Sequence, residues 1–485
     1  MSSQKYQVVI GLEVHAQLLT QSKIYSADSN RFGDPPNQNI SVVTLAHPGT
    51  LPKLNKKAAE LAIKMGLACH CKISEYQIFD RKNYFYPDLP KGYQLTQDRT
   101  PICVGGYITI DSKEGEKQIK LNRIHIEEDA GKLIHDDHES DSLVDFNRAG
   151  TPLIEIVTEP VIESAEDAGA VLAWIRQVVK YLEICDGNME EGSLRCDANV
   201  SMKPIGSSVL GKKVEVKNMN SIRNLQRAIE YEMIRQTELL EKGESVISET
   251  RTFDAGSGKT FGMRTKEELN DYRYFPDPDL SPIHVSKEWL AEIQSSMPLL
   301  PKELKNKFVA EYKLPEYDAR VLTETKELAQ YFEEVCKSIK NYKAVSNWLM
   351  GPVKSWLNEI GKEANEFPVA PKNLAELILL VDEGKLSFAN ASSKILLILI
   401  NDVNATPLTV AKELNLIQDS SVDSILPIVE EVVKEFPLKV EEYHNGKKAI
   451  VTMFMGEVMK RSKGKADPKV ANDLIVRKLQ SLKEK

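Results

Sequence analysis

HIEEDAGKLIHDDHESDSLVDFNRAGTPLIEIVTEP, residues 125–160, sets two acidic patches, Glu127-Glu128-Asp129 and Glu155, among Ile, Leu and Val of core character. A carboxylate on an apolar strand is costly to bury unless a positive group neutralises it. A hard divalent cation is the first candidate, because Mg²⁺ prefers carboxylate oxygens and keeps waters that a phosphate can replace. The stretch therefore predicts strands that carry a site for phosphate chemistry.

Similar strand signals recur to either side. Short alternating runs stand at 7–17, 107–110, 117–126, 153–157, 212–217 and 248–253, separated by clusters of Gly, Pro, Asn and Asp. Helical periodicity covers 164–182, where Ser164 and Asp167 have capping-box spacing, and 220–240. Hairpins mixed with separate helices predict an α+β fold rather than a regular βαβ repeat. The Pro- and Asp-rich stretch at 271–286 closes this region. Beyond it the apolar spacing is helical at 299–312, 323–339, 343–359 and 373–383. A break near 401–407 precedes a last helical unit.

The 485 residues suffice for two to four domains, and their 42% apolar and 28% charged content is ordinary for a globular chain. The longest apolar run, ILLILI at 395–400, is too short to cross a bilayer, and the first residues carry no signal-peptide pattern. Six cysteines form no disulfide framework, which points to a reducing, cytoplasmic setting. Net charge is −8 but uneven. Residues 434–485 hold 13 basic and 7 acidic side chains, a local +6 against −14 for the rest. Such a tail is either a solvated helical face or a grip for an anionic partner.

Several motifs could carry chemistry. In VVIGLEVHAQ (8–17), strand alternation places Glu13, His15 and Gln17 on one face, which is either a solvent face or the floor of a site. Glu128 and Glu155 are the preferred metal carboxylates, with His15 or Glu13 completing the set. Arg148, in DFNRAG, brings a planar guanidinium suited to phosphate beside the acids, unless it belongs to a structural Arg–Glu network. DRKNYFYPDLPKGYQLTQ (80–97) interleaves aromatic and basic side chains on a loop held by Pro and Gly. That interleaving suits a nucleotide base, as of ATP, or a flipped-out end of RNA, with Tyr86 and Lys91 as the contacts, unless it is a packed aromatic loop. Arg195, Asp197 and Lys217 from EEGSLRCDANVS and EVKNMNS are candidates for substrate or ATP-phosphate contact. FDAGSGKT (253–260) imitates the end of a P-loop, but Phe253 stands where that motif needs its first glycine, and a hairpin is the better reading.

Together GLEVH, DRKNYFYPDLPKGYQ, HIEEDAG, DFNRAGTPLIEIVTEP, EEGSLRCDANVS, EVKNMNS and DYRYFPDPD resemble one family over essentially the whole chain: the B subunit of the bacterial and organellar aspartyl/glutamyl-tRNA amidotransferase. The resemblance implies a glutamine-synthetase-like cradle domain at 1–295, a helical domain at 296–405 and a tRNA-binding tail at 406–485. It also implies use of ATP and Mg²⁺ to phosphorylate the side-chain carboxylate of glutamate misacylated on tRNA(Gln), or aspartate on tRNA(Asn), before ammonia displaces the phosphate. By similarity His15, Glu128 and Glu155 would hold the metal, with Glu13 beside them. The only near match to an amidase serine loop is Gly206-Ser207-Ser208, followed by Val209, so ammonia is expected from a partner amidase (A) subunit, with a small (C) subunit as third member. Relatives with structural zinc use two cysteine pairs where this chain has Ser26, Asp28, Ser41 and Thr44, so no zinc is expected. The other readings are a Mg²⁺-dependent ligase acting on a small carboxylic acid without RNA, and a non-catalytic tRNA-binding adaptor.

Overall fold

A computed structural model of the chain describes residues 5–135, 141–265, 272–418, 421–462 and 464–482. The acidic segment 136–140, Asp271 at the start of the Pro- and Asp-rich stretch, and tail residues 463 and 483–485 lie outside them. The chain divides into two compact units, 1–300 and 301–485.

The first unit is α+β and built on a ten-stranded sheet. Its long strands are β1 (Tyr6–Gln17), β2 (Gly115–Glu128), β3 (Pro152–Thr158), β4 (Leu194–Pro204), β5 (Val214–Lys217), β6 (Glu249–Asp254) and β7 (Lys259–Thr265). Their order across the sheet is β7-β6-β5-β4-β1-β3-β2, continued by two short strands at Cys103–Val104 and Lys72–Ile73. Tyr107–Ser112 pairs with β2 off this path. All of these pairs are antiparallel except β5 with β6. The P-loop imitation is the turn of the β6–β7 hairpin, where Asp254 pairs with Lys259.

Alternation along the strands gives the sheet two chemically different faces. Leu12, Val14 and Ala16 of β1, Ile124 and Ile126 of β2, Ile154 and Ile156 of β3, and Cys196, Ala198 and Val200 of β4 are buried in one core. Three helices complete that core: α1 (Lys56–Ala68), α2 (Ala165–Tyr181) and α3 (Ile222–Glu241). Each starts where a side chain satisfies an orphan amide of the first turn. Asn55 accepts from Lys57 N, Ser164 from Asp167 N and Ser221 from Asn224 N. The opposite face of the sheet carries Glu13, His15 and Gln17, and is left without these helices.

A separate three-stranded sheet, Arg273–Pro276, Asp80–Asn83 and Tyr93–Thr96, holds the aromatic and basic motif. Arg81 stacks over Tyr93 at 4.3 Å, and Lys82 lies 4.7 Å from the Tyr272 ring. The second unit consists of helices. Among them Val422–Glu435, Val451–Arg461 and Pro468–Ser481 close a core of their own around Val429, Phe454, Val458 and Ile475. No helix among the described residues is long and apolar enough to cross a membrane.

Candidate functional site

The polar face of the sheet is assembled by register. In the central three strands, β1 between β4 and β3, His15 stands opposite both Glu155 and Arg195, and Glu13 stands opposite Asp197. One strand further, Glu155 pairs with His125, and Glu127 follows two residues on, on the same face. Side chains of one parity from four strands thus converge. His15 Nε2 lies 3.6 Å from Glu127 Oε1 and 3.7 Å from Glu155 Oε2. One ligand atom from each of His15, Glu127 and Glu155 falls within 4.8 Å of the others, the one such metal-capable group among the described residues. His125 approaches the same two acids from the buried side, with Nε2 3.1 Å from Glu155 Oε2 and 3.6 Å from Glu127 Oε2.

Electrostatics follow from that crowding. Burial opposes the charged form of His125, but its hydrogen bonds to Glu127 and Glu155 outweigh burial and raise its pKa to about 9. Burial also works to raise Glu155, yet His125 and then His15 hold its carboxyl well below the ordinary range. Glu13 is pushed up by burial and by the charge of Glu155, against the hydrogen bond from Asn199 Nδ2 at 2.8 Å.

Beside this cluster lies a second construction, centred on Asp129. Its buried carboxylate accepts from Gln17 Nε2 at 2.9 Å and Arg195 at 3.0 Å, and Arg148 Nε lies 3.8 Å away. Arg148 is also fixed by donating to the Ala130 carbonyl at 2.9 Å and the Gly131 carbonyl at 2.6 Å. Burial would raise Asp129, but Arg195, Arg148 and Gln17 prevail and hold it low. Gly131 has to be glycine here: a Cβ would stand 2.9 Å from the Asp145 carbonyl and 3.0 Å from that of Asp88. Two guanidinium groups, each about one third exposed, therefore reach the polar face from a common anchor. Further along, Lys217 Nζ donates to Asp197 at 2.6 Å and lies 3.1 Å from Glu215.

Of the residues singled out from sequence, Glu13, His15, Glu155, Arg195, Asp197 and Lys217 share this face, and Arg148 borders it. Glu128, expected among the metal carboxylates, is placed elsewhere. It has the parity of Ile124 and Ile126, is 1% exposed, and is taken up by Lys91 Nζ and the Leu95 amide at 2.8 Å. Its neighbour Glu127 occupies the place beside His15. Lys91 is thereby held by Glu128, and Tyr86 is half exposed on the loop that leads to it. Glu127, His125 and Asp129 were not separated by the sequence reading, though a signal was available. Ile124-His125-Ile126-Glu127 alternates as cleanly as Glu13-Val14-His15 does, and that parity selects Glu127 over Glu128. Asp129 left no such sign, since its partners come from three other segments. Where zinc was not expected, Asp28 accepts from Ser26 Oγ at 3.0 Å and from Thr44 Oγ1.

Comparison with known proteins bears on this geometry. Residues 8–291 match the family model described as the GatB/GatE catalytic domain, and residues 330–479 match the model described as the GatB domain. The chain is 48% identical over 476 residues to the aspartyl/glutamyl-tRNA(Asn/Gln) amidotransferase B subunit of Thermodesulfovibrio yellowstonii, covering 98% of this chain and 100% of that one. It is 49% identical over 475 residues to the protein of the same name from Trichlorobacter lovleyi, with 98% and 99% covered. The corresponding protein of Thermoanaerobacter pseudethanolicus is 46% identical over 475 residues, again with 98% and 99% covered.

Proposed function

This chain belongs to the family of aspartyl/glutamyl-tRNA(Asn/Gln) amidotransferase B subunits, and from that premise we propose that the polar face of its sheet is where ATP activates a misacylated tRNA. The observation that carries this reading is the convergence of His15, Glu127 and Glu155 beside two arginines anchored on Asp129. The donor set is one imidazole and two carboxylates with no thiolate; the two carboxylates suit Mg²⁺, and the imidazole is a donor shared with transition metals. His15, Glu127 and Glu155 would hold that ion, which when bound supplies positive charge against phosphate oxygens and a template for in-line transfer.

The chain's own residues do the rest by position and charge. Arg148 and Arg195 present N–H edges that suit the oxygens of a phosphate or of the substrate carboxylate. Lys217, held between Asp197 and Glu215, adds a fixed positive charge on the same face. Glu13 and Asp197 line the floor between Lys217 and the metal-capable trio. The Lys91-bearing loop, with Tyr86, borders the site as a surface for the nucleotide. In the reaction, an oxygen of the glutamyl or aspartyl side chain attacks the γ-phosphorus of ATP, the bond to ADP breaks, and an acyl phosphate forms. Ammonia then attacks the acyl carbon, the carbon–oxygen bond to phosphate breaks, phosphate leaves with the electron pair, and the nitrogen gives up a proton. A carboxylate is a poor electrophile, and this activation supplies its leaving group. The chain is by this reading the ligase-type subunit of an ATP-hydrolysing enzyme.

Ammonia comes from a partner amidase subunit, with a small third subunit completing the assembly in the cytoplasm. Two features support this. Burial pushes all six cysteine thiols above their ordinary value, so none is poised as a thiolate nucleophile. Ser207 and Ser208 lie on the turn after β4, in an exposed loop away from the polar cluster. We assign the activation site to residues 1–295, a cradle related to glutamine synthetase. The helical segment 296–405 and the basic tail 406–485 would grip the tRNA. The division of the chain after Leu300 supports the first of these boundaries.

The test is co-production with amidase and small subunits, followed by amidation assays on Glu-tRNA(Gln) and Asp-tRNA(Asn). Amide formation that requires both ATP and glutamine is expected on at least one of them. No amide on either overturns the proposal.

A further inference from the structure

We propose that His125 is a positioning residue, holding Glu127 and Glu155 in the orientation in which they and His15 take a divalent cation. This rests on the metal reading above and adds a role for a side chain outside the trio.

The case is geometric. His125 is 3% exposed, whereas the His15 side chain is 19% exposed on the open side of the same acids. Cross-strand pairing puts the His125 ring directly beside Glu155, and the two-residue step along β2 puts it beside Glu127. Nε2 therefore reaches both acids, at 3.1 Å and 3.6 Å. The other ring nitrogen, Nδ1, is buried and has no hydrogen-bond partner in the structure. The whole polar engagement of this ring is thus with the acid pair.

Two neighbouring carboxylates repel and would turn apart unless a shared donor holds them. A ring fixed on a strand does this with little loss of freedom, since its place is set by backbone pairing. At Glu127 the ring faces Oε2 and leaves Oε1 toward His15, while at Glu155 it fixes Oε2, the oxygen that also faces His15. Orienting the acids in this way is the usual task of groups standing behind metal ligands.

Mn²⁺ titration of the full-length chain, followed by the electron paramagnetic resonance signal of the free ion, tests the role without turnover. His125→Leu is expected to weaken Mn²⁺ binding by about 10–100-fold, while His125→Gln, which keeps an N–H near the Nε2 position, stays within about threefold of wild type. If His125→Leu does not fold, His125→Asn, whose amide is too short to reach Glu155, replaces it with the same expected loss. In the assembled enzyme, the Mg²⁺ concentration for half-maximal rate should rise while the rate at saturating Mg²⁺ recovers. Wild-type Mn²⁺ affinity in a folded His125→Leu or His125→Asn protein, or an equal loss in His125→Gln, overturns the inference alone. Absence of Mn²⁺ binding by the wild-type chain overturns the metal reading and this inference together.

Discussion

At the scale of single residues, the adjacent acids Glu127 and Glu128 show how one step along a strand changes a role. Glu127 faces His15 across the sheet, and Glu128 faces inward to Lys91. Glu127→Gln should lower ATP-dependent phosphorylation of the charged tRNA by at least ~10²-fold, the range seen when one preorganised electrostatic group is lost. Glu128→Gln should leave Mn²⁺ affinity unchanged in the same titration. Its effect is on folding, because it strands a largely buried lysine: about 3 kcal/mol in a denaturant midpoint. Lys23 offers a separate test through pH. Burial lowers its pKa to about 8, against an ordinary value of 10.5. The unfolded chain therefore binds more protons than the folded one between those values, so stability rises with pH across that window. Below pH 8 the folded state carries a penalty on the order of 3 kcal/mol. Lys23→Met should be more stable than wild type at pH 7 by up to that amount, less its hydrogen bond to the Phe146 carbonyl. The advantage should vanish by pH 10.5, as read by urea denaturation at stepped pH.

At the scale of elements, the helices behind the sheet pack on its apolar face and leave the polar face clear. α2 begins where Ser164 accepts from Asp167 N at 3.0 Å, and it packs on the apolar side of β1. Ser164→Ala should cost about 1 kcal/mol of stability and leave the Mg²⁺ dependence of the reaction untouched. The β6–β7 hairpin is tied to α3 by a buried charge. Glu232, 0% exposed, accepts from Arg235 at 2.8 Å and from Thr260 Oγ1 at 2.5 Å, and Arg251 lies 3.2 Å away. Glu232→Ala would leave two arginines facing an empty place, at a cost of about 3–5 kcal/mol. Hydrogen exchange should then quicken in β6 and β7 before it does in β1. The turn that resembled a phosphate cradle is, on this account, a brace for the edge of the sheet.

At the scale of the molecule, charge is divided between an acidic body and a basic tail. Lys434, Lys460 and Lys469 are exposed in the tail helices. Changing all three to Gln should weaken tRNA binding and make the log–log salt dependence shallower by roughly 2, since each phosphate left unneutralised takes about 0.7–0.9 off the slope. An unchanged slope would remove the tail from the tRNA interface. Side-chain periodicity and caps act within a few residues, and they alone are enough to specify the α+β character of the first unit and the helices of the second. Alternation also places Glu13, His15 and Gln17 on one side of β1, but the sequence reading took Glu128 for the metal carboxylate where the parity set by Ile124 and Ile126 marks Glu127. Which strands lie side by side was decided by the tertiary structure alone. Residues 15, 127 and 155 meet because β3 lies between β1 and β2, and Gln17, Arg148 and Arg195 meet because Asp129 lies just beyond the end of β2. Backbone hydrogen bonding between strands is blind to side-chain identity. The neighbours of an acid on a sheet are therefore set by the packing of the whole core, and the site exists only once that core has closed.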